Sequence, residues 1–301
     1  MSTPLIIICG ATATGKSELA LEVAEKFNGE VINADSMQLY RGMDIGTAKL
    51  SPQERRGIPH HLLDILDVVQ DASVAQYQSQ ARTAVDEIRG RGKAAIIVGG
   101  TGLYIKSIID EMNFPETDPA IRARLEDESE QLGTAELFNR LRLADPEAAA
   151  AIEPANTRRI IRALEVIEVT GKPYSANLPS DVSLRYPDAF HFGLAMERTS
   201  LAPRIEARVH RMWSQELVEE VKTLISRGLL LGSTAQRAIG YAQVISMLAG
   251  DLTEEMAIEE TIVATRQYVR RQETWFKRDQ RIQWIGEEVS RLAFIEERIN
   301  S

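Results

Sequence analysis

Cysteine is nearly absent: Cys9 is the one cysteine in 301 residues. No internal disulfide can form and no thiolate cluster can hold a metal, which fits a reducing compartment and makes the cytoplasm the expected location. Cys9 lies inside an apolar run and reads as a core residue. The N-terminus does not combine a basic segment with a long apolar one, so no signal peptide is expected. No apolar stretch approaches the ~20 residues that a membrane helix needs, so no membrane partner is expected. Positive charge is also short. The net charge is −9, which taken alone argues against nucleic acid. Internal repeats and low-complexity tracts are missing. What remains, 44% hydrophobic and 26% charged residues, is ordinary for a globular chain long enough for one large or two modest domains.

Against these absences one stretch stands out. Leu5 to Ile8 are apolar and mostly β-branched, the composition of a buried parallel strand. Gly10, Ala11, Thr12, Ala13, Thr14, Gly15, Lys16 and Ser17 follow, fitting G-x-x-x-x-G-K-[ST] without mismatch. Leu19, Ala20, Val23, Ala24 and Phe27 then repeat with helical spacing. Strand, glycine loop and helix are the context that a phosphate-binding loop requires. Gly10 and Gly15 let the backbone curl so that successive N–H groups face an anion. The helix N-terminus adds partial positive charge, Lys16 a mobile point charge, and Ser17 an oxygen for Mg²⁺.

The rest of the N-terminal third continues an α/β pattern. Glu30–Asn33 reads as a second strand running into Asp35, Ser36, Met37 and Gln38 at the sheet edge where ligands bind. Asp35 therefore faces a ligand or caps a helix, with Ser36 a second cap candidate. Residues 41–61 have no period and read as a long functional loop, with His60 and His61 as anchors. Ser73 caps an amphipathic helix reaching Ile88. Ala94–Val98 is a further strand and opens into Gly99, Gly100, Thr101 and Gly102. Hydrolytic NTPases carry an acidic residue at such a strand end to hold Mg²⁺. Glycine and threonine stand here instead, which weakens an ATPase reading.

The expected architecture is an α/β, P-loop-type parallel sheet (1–113) with an all-helical insertion (114–187) and a second, mostly helical part of the core (188–301). Helices are predicted over Pro119–Leu132, Thr134–Leu143, Pro146–Ile152 and Asn156–Thr170, then over Leu201–Arg227, Ala238–Leu248 and Thr253–Phe276. Strands are predicted over Phe190–Met196 and Ile282–Ile285. Two patches oppose the net charge. Arg158, Arg159 and Arg162 share one helix, and residues 266–281 hold six cations against Glu273 and Asp279, a local +4, with Tyr268, Trp275 and Phe276 among them. A solvated helix face explains such runs, and so does an RNA surface.

These stretches together resemble the bacterial tRNA dimethylallyltransferase (tRNA isopentenyltransferase) family. The resemblance rests on residues 10–17, on Asn-Ala-Asp-Ser-Met-Gln-Leu-Tyr at 33–40, Gly-Met-Asp-Ile-Gly-Thr-Ala-Lys at 42–49, Pro-His-His-Leu-Leu-Asp at 59–64 and Val-Gly-Gly-Thr-Gly-Leu-Tyr at 98–104. It extends to 158–166, 237–241 and 265–276, so it spans nearly the whole chain in order. It implies transfer of the dimethylallyl group from dimethylallyl diphosphate to N6 of the adenosine 3′ of the anticodon, with release of diphosphate. The glycine loop would hold the donor's diphosphate with Mg²⁺ and would not hydrolyse ATP. Asp35 resembles the family's general base and Thr101 the residue near N6 and the donor oxygen. Arg204 and Arg208, four residues apart, are candidates for the diphosphate. Candidates for the tRNA anticodon stem-loop are Asp35, Ser36, Met37, Gln38, Thr101, Arg122, Arg158, Arg159, Arg162, Arg237 and Gln243. The protein is expected to be a monomer.

Three rivals remain. An adenylate isopentenyltransferase would run the same chemistry on free AMP or ADP, and the helical insertion with its arginines speaks for tRNA. A P-loop small-molecule kinase would consume ATP, and the 33–40 and 98–104 stretches speak against it. A nucleotide-dependent RNA-binding module would leave Asp35 unexplained.

Overall fold

The computed structural model describes residues 3–175 and 184–301. The chain forms two compact units, Met1–Ile109 with Arg185–Ser301, and Asp110–Leu184. The first unit opens with β1 (Leu5–Gly10), buried at every residue, then the glycine loop and α1 (Lys16–Lys26). β2 (Gly29–Asn33), β3 (His60–His61), α2 (Val74–Gly90), β4 (Ala94–Gly99) and α3 (Gly102–Ile109) follow. Ser73 caps α2 by accepting from Gln76 N. The histidines belong to a short edge strand beside β2, where His61 Nε2 meets the buried Glu30 carboxylate at 2.7 Å. No helix follows Asp35. Residues 36–39 form bends and turns, and the Asp35 carboxylate caps that turn by accepting from Met37 N at 2.9 Å.

The second unit is helical: α4 (Pro119–Leu132), α5 (Thr134–Ala144), α6 (Pro146–Ala151) and α7 (Thr157–Thr170). Leu125, Leu137, Leu141, Ile160 and Leu164 build its own core. Asp118, Asp145 and Asn156 cap α4, α6 and α7, and Gly171 ends α7 with φ 66°.

The chain returns to the first unit with β5 (Phe190–Leu194), α8 (Arg198–Ser214), α9 (Leu217–Ser226), α10 (Tyr241–Leu248), α11 (Glu254–Phe276), β6 (Gln283–Ile285) and α12 (Arg291–Asn300). The six strands are all parallel in the order β3-β2-β4-β1-β5-β6. Alternation along β1 supplies both faces. Leu5, Ile7 and Cys9 pack with Tyr77, Ile88, Tyr104 and Tyr241, whereas Ile6 and Ile8 pack with Leu19, Val23, Phe192 and Ile295.

Two predicted helices end differently. Leu201–Arg227 is two helices, broken at Glu216 with φ 71°. The buried rows are 201, 205, 209, 212 and then 217, 221, 224. The step of five from Met212 to Leu217 would turn the second row roughly 140° off the core in a continuous helix. Helix α10 starts at Tyr241 rather than Ala238, because Gly240 has φ 91° and Ala238 is extended. Among the described residues no helix is long and apolar enough to cross a membrane.

Candidate active site

The carboxyl ends of β1, β2 and β4 meet at the glycine loop. The loop curls through Ala13 (φ 64°) and Gly15 (φ 91°), the second of which opens α1. Thr14 Oγ1 donates to Ala11 O at 2.8 Å, and Arg291 Nη1 braces Thr14 O from outside at 2.8 Å. The Lys16 ammonium folds over the loop and donates to Ala11 O. Burial in the loop, opposed by the charge of Asp35, lowers its pKa from 10.5 to about 8.

Asp35 is held by Asn33, whose side chain accepts from Asp35 N and donates to Asp35 O, each at 3.0 Å. Tyr77 in turn donates to Asn33 O at 2.8 Å. β4 reaches this turn closely: a Cβ on Gly99 would lie 2.2 Å from Ala34 O, so only glycine fits there. The next residues bring Thr101 Oγ1 to Ser36 N at 3.2 Å, joining two of the predicted stretches directly.

Two cavities adjoin this centre. A wide cleft of about 740 Å³ is lined by Thr12, Ala13, Gly15, Lys16 and Ser17 of the loop, by Asp35 and Gln38, and by Arg204, Arg208 and Arg211 of α8. A smaller cavity of about 280 Å³ is lined by apolar groups of Met37, Val209, Met212, Ala238 and Ile239, with Tyr268, Arg237 and Arg271. Thr12, Asp35, Thr47, Arg208 and Met212 line both. The Arg208 guanidinium is half-buried between them and donates to Thr47 O at 3.2 Å. Burial makes it a weaker base, and Asp35 opposes that. Arg204 is exposed and donates to Met196 Sδ at 3.6 Å. Neither arginine pairs with Glu206, which is bound to Arg266.

A family comparison fits this arrangement. The sequence pattern of the family described as IPP transferase matches residues 38–279. The chain belongs to that family. It is 54% identical to the tRNA dimethylallyltransferase of Streptomyces coelicolor over 282 residues, covering 94% of this chain and 90% of the relative. It is also 54% identical to that of Corynebacterium efficiens over 287 residues, covering 95% of each. Among solved structures it is similar to the full-length tRNA isopentenylpyrophosphate transferase of Bacillus halodurans (TM-score 0.70, 40% identity, 99% of this chain and 94% of that one). It is also similar to a eukaryotic dimethylallyltransferase acting on tRNA (TM-score 0.80, 29% identity, 95% of this chain and 74% of that one).

The remaining candidates of this family member divide. Arg237 is exposed at the rim of the smaller cavity. Gln243 accepts from Gly240 N at 2.8 Å and so caps α10. Arg122, Arg158, Arg159 and Arg162 belong to the other compact unit. There Arg122 and Arg162 both donate to the buried Glu165, at 2.7 and 2.9 Å. Burial pushes the Glu165 carboxyl up, and these two hydrogen bonds outweigh it, so its pKa lies below the usual range. Arg158 and Arg159 are exposed and make no ion pair among the described residues.

Helix α11 differs from its sequence reading. The cationic, aromatic run over 266–281, which extends past the end of α11, is not one continuous surface: Arg266 pairs with Glu206, Arg281 with Asp279, and Phe276 is core. The buried face of α11 instead carries Gln272, which accepts from Thr12 N and donates to Gly100 O, both at 2.9 Å. Gln272 thus ties the glycine loop to the turn bearing Thr101. Tyr268, one turn earlier, faces Thr101 and Gln272, and burial followed by the nearby Asp35 raises its phenol to about 12. Neither role was readable from sequence, because a lone Gln or Tyr within a basic helix carries no spacing signal.

Proposed function

We infer that this chain is a tRNA dimethylallyltransferase, moving a dimethylallyl group from dimethylallyl diphosphate onto N6 of the adenosine 3′ of the anticodon. What supports the residue roles is one observation: Asp35 and Arg208 line both the cleft that holds the glycine loop with Lys16 and the smaller, largely apolar cavity. A donor in the first and a base in the second would meet at Asp35.

In this reading the donor's diphosphate lies on the N–H groups of residues 13–17, at the positive end of α1, with Lys16, Arg204 and Arg208 around it. The target adenine is extruded from its stack to reach the centre. As the C1–oxygen bond breaks, its electron pair leaves on the diphosphate, where the fixed cations stabilise it. The N6 lone pair forms the new bond to C1, and the N6 proton passes to the Asp35 carboxylate. Thr101, fixed on Ser36, orients the amine. Arg158, Arg159 and Arg237 take up backbone phosphates of the stem-loop, with Ser36, Met37 and Gln38 beside the flipped base.

Mg²⁺ fits the donor set. The Ser17 hydroxyl is exposed at the first turn of α1 and opens on the cleft, and Mg²⁺ takes few protein oxygens when phosphates and water complete its shell. Ser17 would hold it, and it would supply charge neutralisation to the leaving diphosphate. The enzyme is read as a cytoplasmic monomer.

The test supplies labelled dimethylallyl diphosphate with tRNA in one reaction and AMP in another. Label on the tRNA adenosine 3′ of the anticodon, with equimolar diphosphate release, is expected. Label on AMP, or ATP consumption without transfer, would overturn the reading.

A further inference from the structure

The Thr47 backbone carbonyl is shared by the two sides of the site. It accepts from Arg208 Nη2 and from Gln38 Nε2, each at 3.2 Å. One of these side chains is assigned above to the diphosphate and the other to the RNA. The position of one peptide oxygen therefore sets the reach of both.

That oxygen is held from two directions. Thr47 Oγ1 donates back to Met43 O at 2.7 Å. The Lys49 ammonium, almost fully buried, donates to Tyr40 O at 2.8 Å and to the Asp44 and Asp64 carboxylates at 2.6 Å each. From the other side comes Glu220 of α9. Its Oε2 accepts from Asp44 N at 3.1 Å and Ile45 N at 2.8 Å, and its Oε1 from Gly46 N at 3.3 Å and the Tyr241 hydroxyl at 2.5 Å. Three successive N–H groups around one carboxylate form an anion nest, filled here by the protein's own side chain. Tyr241 is fully buried, and a Cβ on Gly46 would lie 2.4 Å from its ring. The backbone at 46 is thus pressed against α10 while Glu220 grips it. Glu220 lines neither cavity, so it acts only through what it holds.

We propose that Glu220 is a positioning residue of the transfer reaction. By gripping the turn at 44–46 it fixes the Thr47 carbonyl, and through that carbonyl it aims the Arg208 guanidinium at the donor's diphosphate. The proposal rests on the reading of Arg208 as a diphosphate ligand. A merely structural Glu220 would lower stability without regard to Arg208.

The experiment compares Glu220→Gln, Arg208→Lys and the double variant, at saturating tRNA, for donor KM, kcat and thermal midpoint. Glutamine keeps one acceptor oxygen and turns a donor toward Gly46 N–H and the Tyr241 hydroxyl. Glu220→Gln is expected to raise donor KM about tenfold, the scale of one charge-assisted hydrogen bond, with a smaller change in kcat. In the Arg208→Lys background it should add no more than about twofold, because the two act as one unit. If Glu220→Gln does not fold, Tyr241→Phe replaces it, removing one tether of the carboxylate. It should raise donor KM about threefold alone and not at all beside Arg208→Lys. Additive effects, or an unchanged donor KM in the folded single variant, overturn the proposal. An unchanged donor KM in Arg208→Lys alone overturns the diphosphate reading itself, and is told apart because it appears without any change at 220.

Discussion

Asp35→Asn separates chemistry from architecture at the centre of the site. Asparagine is nearly isosteric, keeps an oxygen to accept from Met37 N, and leaves both backbone bonds to Asn33 in place. Asn and Asp cap comparably, so stability should change by only a few tenths of a kcal/mol, roughly. What asparagine cannot do is take up the N6 proton. Loss of a positioned base costs about 10²- to 10⁴-fold, or roughly 3–5.5 kcal/mol of barrier. Donor binding should move the other way. The Asp35 carboxylate lies close enough to Lys16 and Arg208 to act on both, and removing it leaves their field on the diphosphate less opposed. Asp35 also holds up the Lys16 pKa, so the comparison belongs at about pH 6, where Lys16 is cationic in both enzymes, and there donor Kd should be unchanged or lower. Single-turnover rates on preformed complex, beside donor titration, measure the two effects apart. A single-turnover rate within about threefold of wild type would remove Asp35 as the base. A weakened donor would show that the substitution had disturbed the loop instead.

Two further expectations follow from charge. Burial holds Lys16 at about 8, so in the free enzyme it is cationic below that pH and neutral above it. The anionic donor binds the cationic form, so kcat/KM for the donor should fall about tenfold per pH unit above that point, while kcat of the loaded enzyme stays flatter. A kcat/KM profile level to about pH 9.5 would refute the assignment. For RNA, Arg158→Glu with Arg159→Glu should weaken tRNA binding and flatten its salt dependence while leaving donor KM alone. Arg162→Glu should behave differently, placing a second carboxylate on buried Glu165 at a cost of about 3–5 kcal/mol to the helical unit. Filter binding and thermal melts distinguish these, and an RNA affinity indifferent to the Arg158 and Arg159 reversals would remove the helical surface from recognition.

Much of the architecture was legible because its signals are local. Apolar runs announced β1 and β4, and an Asn or Asp before the helix with a Gly after it marked both ends of α4 and α7. The break at Glu216 was written in the five-residue step between Met212 and Leu217, but a fused helix hides it unless the phase is counted. Helix α3 gave no period, since Tyr104, Ile105, Ser107, Ile108 and Ile109 are all buried and leave little polar face. At the site, the motif residues could be named but not their partners. That Arg122 joins Arg162 on Glu165, and that Gln272 spans the loop and Gly100, are facts of long-range contact. No spacing rule reports a bond between residues 12 and 272.

The strand order carries a consequence for how the molecule is made. β1 ends at Gly10, yet its neighbour β5 does not begin until Phe190, so β1 leaves the ribosome long before it. At ~5–20 residues per second, that edge stays unpaired for on the order of ten to forty seconds of synthesis. Throughout that interval Leu5, Ile6, Ile7 and Ile8 present an apolar strand edge to any other extended chain. The segment emerging meanwhile, Asp110–Leu184, has a hydrophobic core of its own, whereas the sheet cannot close until the strand after it is translated. Nascent chains stalled just short of Phe190 should therefore depend on holdase chaperones, and extension past Leu194 should lessen that dependence by pairing the open edge of β1, with the remainder lost only once Tyr241 and β6 are made.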